Sequence, residues 1–486
     1  MSVSRRDFLR NSGLAVMAGG AVLTTEQWLA GADVEMDFRK KLQDGSASVP
    51  TPSAGAAAAE TGSAAKDKRM EVPTLVTIFL RGGADALNAI VPYADDHYYK
   101  VRPRIAIPVQ AKRGKPVIKL PDKVGGGIFG LNPGMDAFAK LMEEGKAAAF
   151  MNIGSPNGTR SHFSAQDNME RGTTGDARVS SGWLNRYLLA TKKQTDAPLR
   201  GLCAMNLLPR SLRGEYPVLA GANRTENMDL FEDLYAPSNL INQTARDGAM
   251  SDKGSRLDDR PTDTMKQRQM TSDWARDVIS DSGTNAVVRI KALEAAMAQP
   301  TTGSYPGGGL SHQLSTIAKV IKANVGLEVA QADYGGWDHH ADLGESDGKH
   351  AKMLKTLSDN IAAFLADLGD RANKVTVMVM SEFGRTVHEN GTNGADHGRG
   401  GMMLVAGGSI KAPKVYGKYK GVADMVGDYQ PVYTDFRAVF AEAIFKMFGY
   451  DPFKPDAVVK MFPDYKAPKL EDFNDWINPI AKVRKA

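Results

Sequence analysis

The sequence predicts an α/β fold with a mostly parallel central sheet. Two observations carry that prediction. Short apolar runs end in polar, glycine-rich turns, and amphipathic helical stripes stand between them. The first run, Leu75–Leu80 within "PTLVTIFLRGGADALN", reads as a buried strand that delivers Asp85 beyond a Gly-Gly turn. "GMDAFAKLMEEGKAAAFMNIG" reads as a helix, a stop at Gly145 and a second strand, Ala147–Ile153. "TRSHFSAQDNMERG" opens with Thr159 and Ser161, continues at helical spacing and stops at Gly172. "LSHQLSTIAKVIKANVGLEVAQADYGGWDHH" is a helix followed by a strand ending at Asp338. In "KMLKTLSDNIAAFLADLGD", Met353, Leu354, Leu357, Ile361, Phe364, Leu365 and Leu368 share one stripe, as a helix covering a sheet requires. Strands follow at Val375–Met380 and in "GMMLVAGG", and a last helix has Thr434 as its expected cap and Gly449 as its stop.

Around this frame, the 486 residues carry a net charge of only +5, too little to argue for nucleic acid, and no nucleic-acid-reading motif is present. "SRRDFLR", the uncharged run after it and the small residues Ala30–Ala32 describe a twin-arginine signal peptide over residues 1–32. The expected partner is therefore the twin-arginine export machinery, and the expected location is the periplasm or the cell exterior. No other apolar segment approaches the length of a membrane span. Residues 33–71, rich in Ala, Gly, Ser and Pro, form an expected linker, and the folded domain is expected over 72–470 with a tail at 471–486. The polar, Met-dotted stretch at about 222–310 reads as an inserted cap. A lone cysteine, Cys203, excludes an intrachain disulfide and a thiolate cluster.

In parallel sheets ligands gather at the carboxyl ends of the strands. Polar residues cluster at four such ends: Asp85; Ser161 with His162; Asp338 through His340; and Glu382 with the loop to His397. Asp85, Asp338 and Glu382 offer hard oxygens, and His340 and His397 borderline nitrogens. That mixture suits a divalent ion such as Zn, Mn, Fe or Mg. Asp85 could instead close a turn, Ser161 cap a helix and Glu382 pair with Arg385. His339 is expected in solvent or behind the ligands, His388 and Asp396 at the surface or behind them, and His97, His312 and His350 in structural roles.

The series "TIFLRGGADALNAIVPYADDHYYKVRPRIAIP", "GTRSHFSAQDNMERG", "GWLNRYL", "DYGGWDHH", "SEFGRT" and "GADHGRGGMMLVAGG" resembles the DUF1501 proteins, exported bacterial proteins related to the alkaline phosphatase and sulfatase superfamily. The resemblance implies an alkaline phosphatase-like three-layer α/β/α sandwich. It also implies a metal-dependent hydrolase of phosphate or sulfate esters. Asp85, Asp338, His340, Glu382 and His397 would be its metal ligands and Ser161 its nucleophile, with Thr159 and His162 as neighbouring rivals. A helix start offers free N–H groups to an anion, and Arg160 and Arg385 would steady the substrate. In "SEFGR", Phe383 follows Glu382 where the superfamily keeps a histidine, so one ion is expected rather than two. The rival reading is a non-catalytic binding or assembly protein on the same fold.

Overall fold

The computed structural model describes residues 72–111, 114–176, 178–192, 197–220, 289, 291–451, 461–465 and 475–480. The expected signal peptide and linker, most of the expected cap and much of the expected C-terminal tail lie outside the described residues. One compact unit is drawn from residues 71–223 and 292–486.

The strands of its main sheet, in chain order, are β1 (Thr74–Arg81), β2 (Ala147–Gly154), β3 (Gly201–Cys203), β4 (Leu219–Ala220), β5 (Val329–Gly335), β6 (Val375–Ser381), β7 (Gly401–Gly407), β8 (Val415–Tyr416) and β9 (Thr434–Asp435). They join in one nine-stranded sheet of order β8-β2-β7-β6-β1-β5-β3-β4, with β9 also on β2. β7 is antiparallel to both of its neighbours, and every other pairing is parallel. The reversal has a functional consequence. β7 begins at the edge where the parallel strands end, so residues 382–400 leave β6 and re-enter β7 without quitting that edge. Loops of this length inside a compact domain usually serve function.

The main helices are α1 (Asp136–Glu143), α2 (His162–Arg171), α3 (Trp183–Ala190), α4 (Gly309–Lys322), α5 (Lys349–Leu368) and α6 (Phe436–Phe448). Alternation along β1 assigns them to two layers. Leu75 and Phe79 join a core with Trp183 and Leu184 of α3 and Phe440 and Ile444 of α6. Val76, Ile78 and Leu80 join a second core with Leu314 and Ile317 of α4 and Leu354, Leu357, Ile361 and Phe364 of α5. The result is a three-layer sandwich whose central strands are apolar on both faces.

Several boundaries differ from the sequence reading. β5 stops at Gly335, three residues before Asp338, because Gly336 turns the chain with φ of 94°. Asp435, not Thr434, caps α6: its carboxylate accepts from the Arg437 N–H at 2.9 Å, while Thr434 lies in β9. Leu293 and Ala296, assigned to the cap, are buried in the α4–α5 core. Among the described residues no helix is long and apolar enough to cross a membrane.

Candidate metal centre

Four side chains meet at the carboxyl edge of the sheet. His162, the first residue of α2, arrives from the β2 exit; Asp338 and His340 arrive from the β5 exit; His397 arrives from the β6–β7 loop. The His397 Nε2 stands 2.9 Å from the Nε2 of His162 and 2.9 Å from the Nε2 of His340. Asp338 completes the group: Oδ2 is 3.3 Å from His162 Nε2, and Oδ1 is 3.1 Å from His340 Nε2 and 3.3 Å from His397 Nε2. One ligand atom each from His162, Asp338 and His397 lies within 4.8 Å of the others, and His340 touches the last two.

The opposite nitrogens explain why these rings point as they do. His162 Nδ1 is 2.7 Å from Glu382 Oε1, His340 Nδ1 is 2.7 Å from Asp396 Oδ1, and His397 Nδ1 is 2.9 Å from the Arg160 carbonyl. All three partners can only accept when the carboxylates are ionised, so each Nδ1 carries the proton, and a ring that is neutral turns a lone pair on Nε2 inward. Two imidazole nitrogens 2.9 Å apart repel unless a proton or a metal ion lies between their lone pairs. Tetrahedral ligands about 2.0–2.1 Å from a zinc ion stand about 3.3–3.4 Å from one another, close to the spacings here. The donor set therefore fits a divalent ion.

Glu382 is fully buried, and its Oε1 accepts from three donors: the Gly82 N–H at 2.9 Å, Gln166 Nε2 at 2.9 Å and His162 Nδ1 at 2.7 Å. It stands behind His162, outside the group of ligand atoms that His162, Asp338 and His397 bring together. Burial works to raise its pKa, but these donors outweigh burial and lower it. The same hydrogen bond is the main cause that raises the His162 pKa. Burial, then His162 and Arg385, lower that of His397. Burial opposes ionisation of Asp338 too, yet Arg385 holds that carboxyl down at about 2.

Two expected members are placed differently. Asp85 is buried and spent on Arg102, whose Nη1 and Nη2 donate to its two oxygens at 2.8 Å each; the Asn88 N–H adds a bond at 2.7 Å. Neither carboxylate oxygen of Asp85 joins His162, His340 or His397. Arg385 is buried as well. Its guanidinium donates to the carbonyls of Gly82, Gly83, Ala395 and Trp337 and to Asp338 Oδ1, and with its side chain fully buried it exposes no donor to a substrate. It stitches three loops together beneath the site, and Gly82 and Gly398 allow the closeness. A Cβ on Gly82, whose φ is 121°, would come within 2.6 Å of the Asp338 nitrogen, and one on Gly398 within 2.3 Å of the Arg385 carbonyl.

The remaining predicted residues fall at the rim. Ser161 precedes α2 with its side chain exposed, and its hydroxyl makes no hydrogen bond among the described residues. The Thr159 hydroxyl is occupied by the Ser161 N–H at 3.3 Å. Arg160 is exposed, donates to the Tyr429 hydroxyl and stacks 4.9 Å from that ring. His339, expected in solvent or behind the ligands, is buried, and neither ring nitrogen has a partner among the described residues. His388 pairs with Asp428 at 2.6 Å on the surface.

Residues 72–452 match the family described as proteins of unknown function (DUF1501). The chain belongs to the DUF1501 family. No curated protein matches it. The solved structure of alkaline phosphatase from the Antarctic bacterium TAB5 is similar over 69% of this chain and 92% of that one, at 9% identity and a TM-score of 0.28.

Sequence reading missed Gln166, Asp396 as the His340 partner, and Arg102. Gln166 carried a usable signal, since it lies four residues after His162 and so on the same helical face. Its amide is fixed by Arg81, whose Nη1 donates to Oε1 at 3.0 Å and so turns Nε2 toward Glu382. Arg102 carried none, because only the fold brings residues 85 and 102 together.

Proposed function

We propose that this protein is an exported metal-dependent hydrolase of phosphate or sulfate esters, with His162, Asp338 and His397 holding one divalent ion and His340 at its side. The single observation that carries the reading is the convergence of three Nε2 lone pairs, each fixed by an oxygen on Nδ1. Three imidazoles and one carboxylate suit Zn or Fe, and Mn less well, whereas Mg prefers oxygen ligands throughout. Such an ion supplies Lewis acidity toward an ester oxygen and lowers the pKa of a hydroxyl beside it.

The chain's own residues divide the remaining work. Glu382, Asp396 and the Arg160 carbonyl hold the three rings in one tautomer. Arg385 keeps Asp338 ionised and in place. Ser161 is the proposed nucleophile, because its exposed hydroxyl alone of the three rivals is not engaged. Export through the twin-arginine route, after folding, fits an enzyme that loads its ion in the cytoplasm.

Elemental analysis of the mature protein, purified without chelators, tests the centre. About one equivalent of Zn or Fe is expected, lost in Asp338→Ala/His397→Ala. With the ion present, hydrolysis of aryl phosphate and aryl sulfate should disappear in Ser161→Ala while metal content stays. A folded wild type without metal would defeat the proposal. A metal-loaded protein inert toward both esters would move the reading to a binding protein.

A further inference from the structure

Resting on that reading, a residue outside the centre explains how its most exposed histidine is kept in place. The three imidazoles are not held alike. The acceptor behind His162 is the fully buried Glu382, and the one behind His397 is a backbone carbonyl. The acceptor behind His340 is Asp396, whose side chain is 56% exposed, and the His340 side chain is itself 46% exposed. A carboxylate–imidazole pair at the surface is screened by water and loses side-chain entropy when held, so alone it is weak. Something more must keep His340 Nε2 at 2.9 Å from His397 Nε2 and 3.1 Å from Asp338 Oδ1.

Asn390 supplies it. Its Nδ2 donates to Asp396 Oδ1 at 3.1 Å and to the His340 carbonyl at 2.8 Å. The two hydrogens of one amide thus reach the acceptor of the ring and the backbone that carries the ring. The other end of the amide is equally committed. Oδ1 accepts from the N–H groups of Thr392 and Gly394 at 3.0 Å each, which closes the turn that follows Asn390. The Asn390 N–H donates to the Gly394 carbonyl at 2.8 Å, and the Asn390 carbonyl accepts from Arg104 Nη2 at 2.7 Å. The amide is therefore fixed in one orientation, oxygen to its own turn and nitrogen to His340.

The backbone around it is laced to the same purpose. The Leu343 N–H donates to the Asn393 carbonyl at 2.9 Å, the Asp342 N–H to the Thr392 carbonyl at 3.2 Å, and the Ala395 N–H to the His339 carbonyl at 3.1 Å. The Thr392 hydroxyl donates to the His340 carbonyl at 2.6 Å. Asn390 serves both loops because it accepts at one end and donates at the other. An aspartate would keep the first role and reverse the second, setting one carboxylate against another and against a carbonyl. We propose that Asn390 is the positioning residue of His340: its amide nitrogen clamps the His340 carbonyl and the carboxylate behind the ring, and so keeps Nε2 directed at the ion. Asn390 acts through His340 and is not itself a ligand.

The test pairs zinc affinity, measured by competition with a chelator, with crystal structures of the mature wild type and variant. Asn390→Asp should lower zinc affinity about tenfold to a hundredfold. The sign is diagnostic, because a carboxylate acting only through its charge would raise the affinity for a cation. Asn390→Ala, which removes the clamp without adding charge, should also lower it. In a His340→Ala background Asn390→Asp should no longer lower it, since the clamp has nothing left to hold, whereas a general loosening of the loop would cost the same in both backgrounds. In the Asn390→Asp crystal structure the His340 ring should leave Asp396 and His397. Unchanged or raised zinc affinity in Asn390→Asp, or an equal fall in the His340→Ala background, overturns the proposal. The crystal structures separate it from the hydrolase reading. If the wild type takes up no ion, that reading fails, and the clamp stands or falls on whether His340 leaves its place in Asn390→Asp. If the wild type holds zinc and His340 keeps its place in the variant, the clamp alone fails.

Discussion

The carboxyl edge of the sheet holds two polar clusters built from the same residue types and set to opposite ends. In the outer one, the Asp338 carboxylate is 44% exposed, and every histidine has an oxygen behind its Nδ1. In the inner one, Asp85, Arg102, His350 and His339 are all buried. Asp85 is closed onto Arg102, His350 Nε2 reaches only the Asp85 carbonyl at 3.1 Å, and His339 has no partner among the described residues. An imidazole becomes a ligand when an acceptor fixes one nitrogen and a gap admits an ion to the other. Buried without that gap, it is simply kept neutral. His339 and His340 are consecutive in sequence and stand on opposite sides of this line.

The largest effect should come from breaking the inner cluster. Asp85→Ala strands the Arg102 guanidinium in a dry interior and should cost about 3–5 kcal/mol by chemical denaturation. Metal content, measured on the folded fraction, should not change. Loss of the ion with stability intact would mean that Asp85 is a ligand after all.

The inner histidines give the next effect, a dependence on pH. Burial is the main cause that lowers the pKa of His350 to about 4, and it lowers that of His339 to about 3. Around His350 the Asp85 charge pulls the other way, while Arg102 and Arg385 reinforce burial. The unfolded chain takes up these protons near pH 6.5 and the folded one only below about 4, so stability is present above 6.5 and falls as the pH drops through that window. His350 alone should account for about 3 kcal/mol across it. His350→Phe should flatten the acid limb of a stability-against-pH curve, and an unchanged slope would show that His350 is protonated in the fold.

The contrast also explains what the sequence could and could not disclose. Strand ends and helix stripes were readable because burial imposes periods of two and 3.6 residues, and those ends named the loops that carry His162, Asp338, His340, Glu382 and His397. What the loops do with their side chains depends on partners hundreds of residues away. Glu382 looks like a ligand in "SEFGR" until His162 and Gln166, more than two hundred positions earlier, occupy its oxygen. Arg385 and Arg399 look alike within one glycine-rich stretch, yet one is walled in by carbonyls and the other is open to solvent. Local pattern supplies the residues; only the sheet order decides which atoms remain available.

Glu382 offers the most delicate test of that distinction. If it orients His162 without touching the ion, Glu382→Gln should keep a side-chain acceptor of the same shape for the ring N–H while removing the charge that raises the His162 pKa. The amide must also present its oxygen to Gly82 and Gln166, which the Arg81 contact to Gln166 enforces. Metal affinity should fall about tenfold to a hundredfold, the usual cost of disturbing a residue behind a ligand, without abolishing binding. The drop should shrink as the pH falls, because the Glu382 charge also raises the His162 pKa and so lets protons compete with the ion in the wild type. Complete loss of the ion, equal to that in His397→Ala, would instead place Glu382 among the ligands and merge it with the outer cluster.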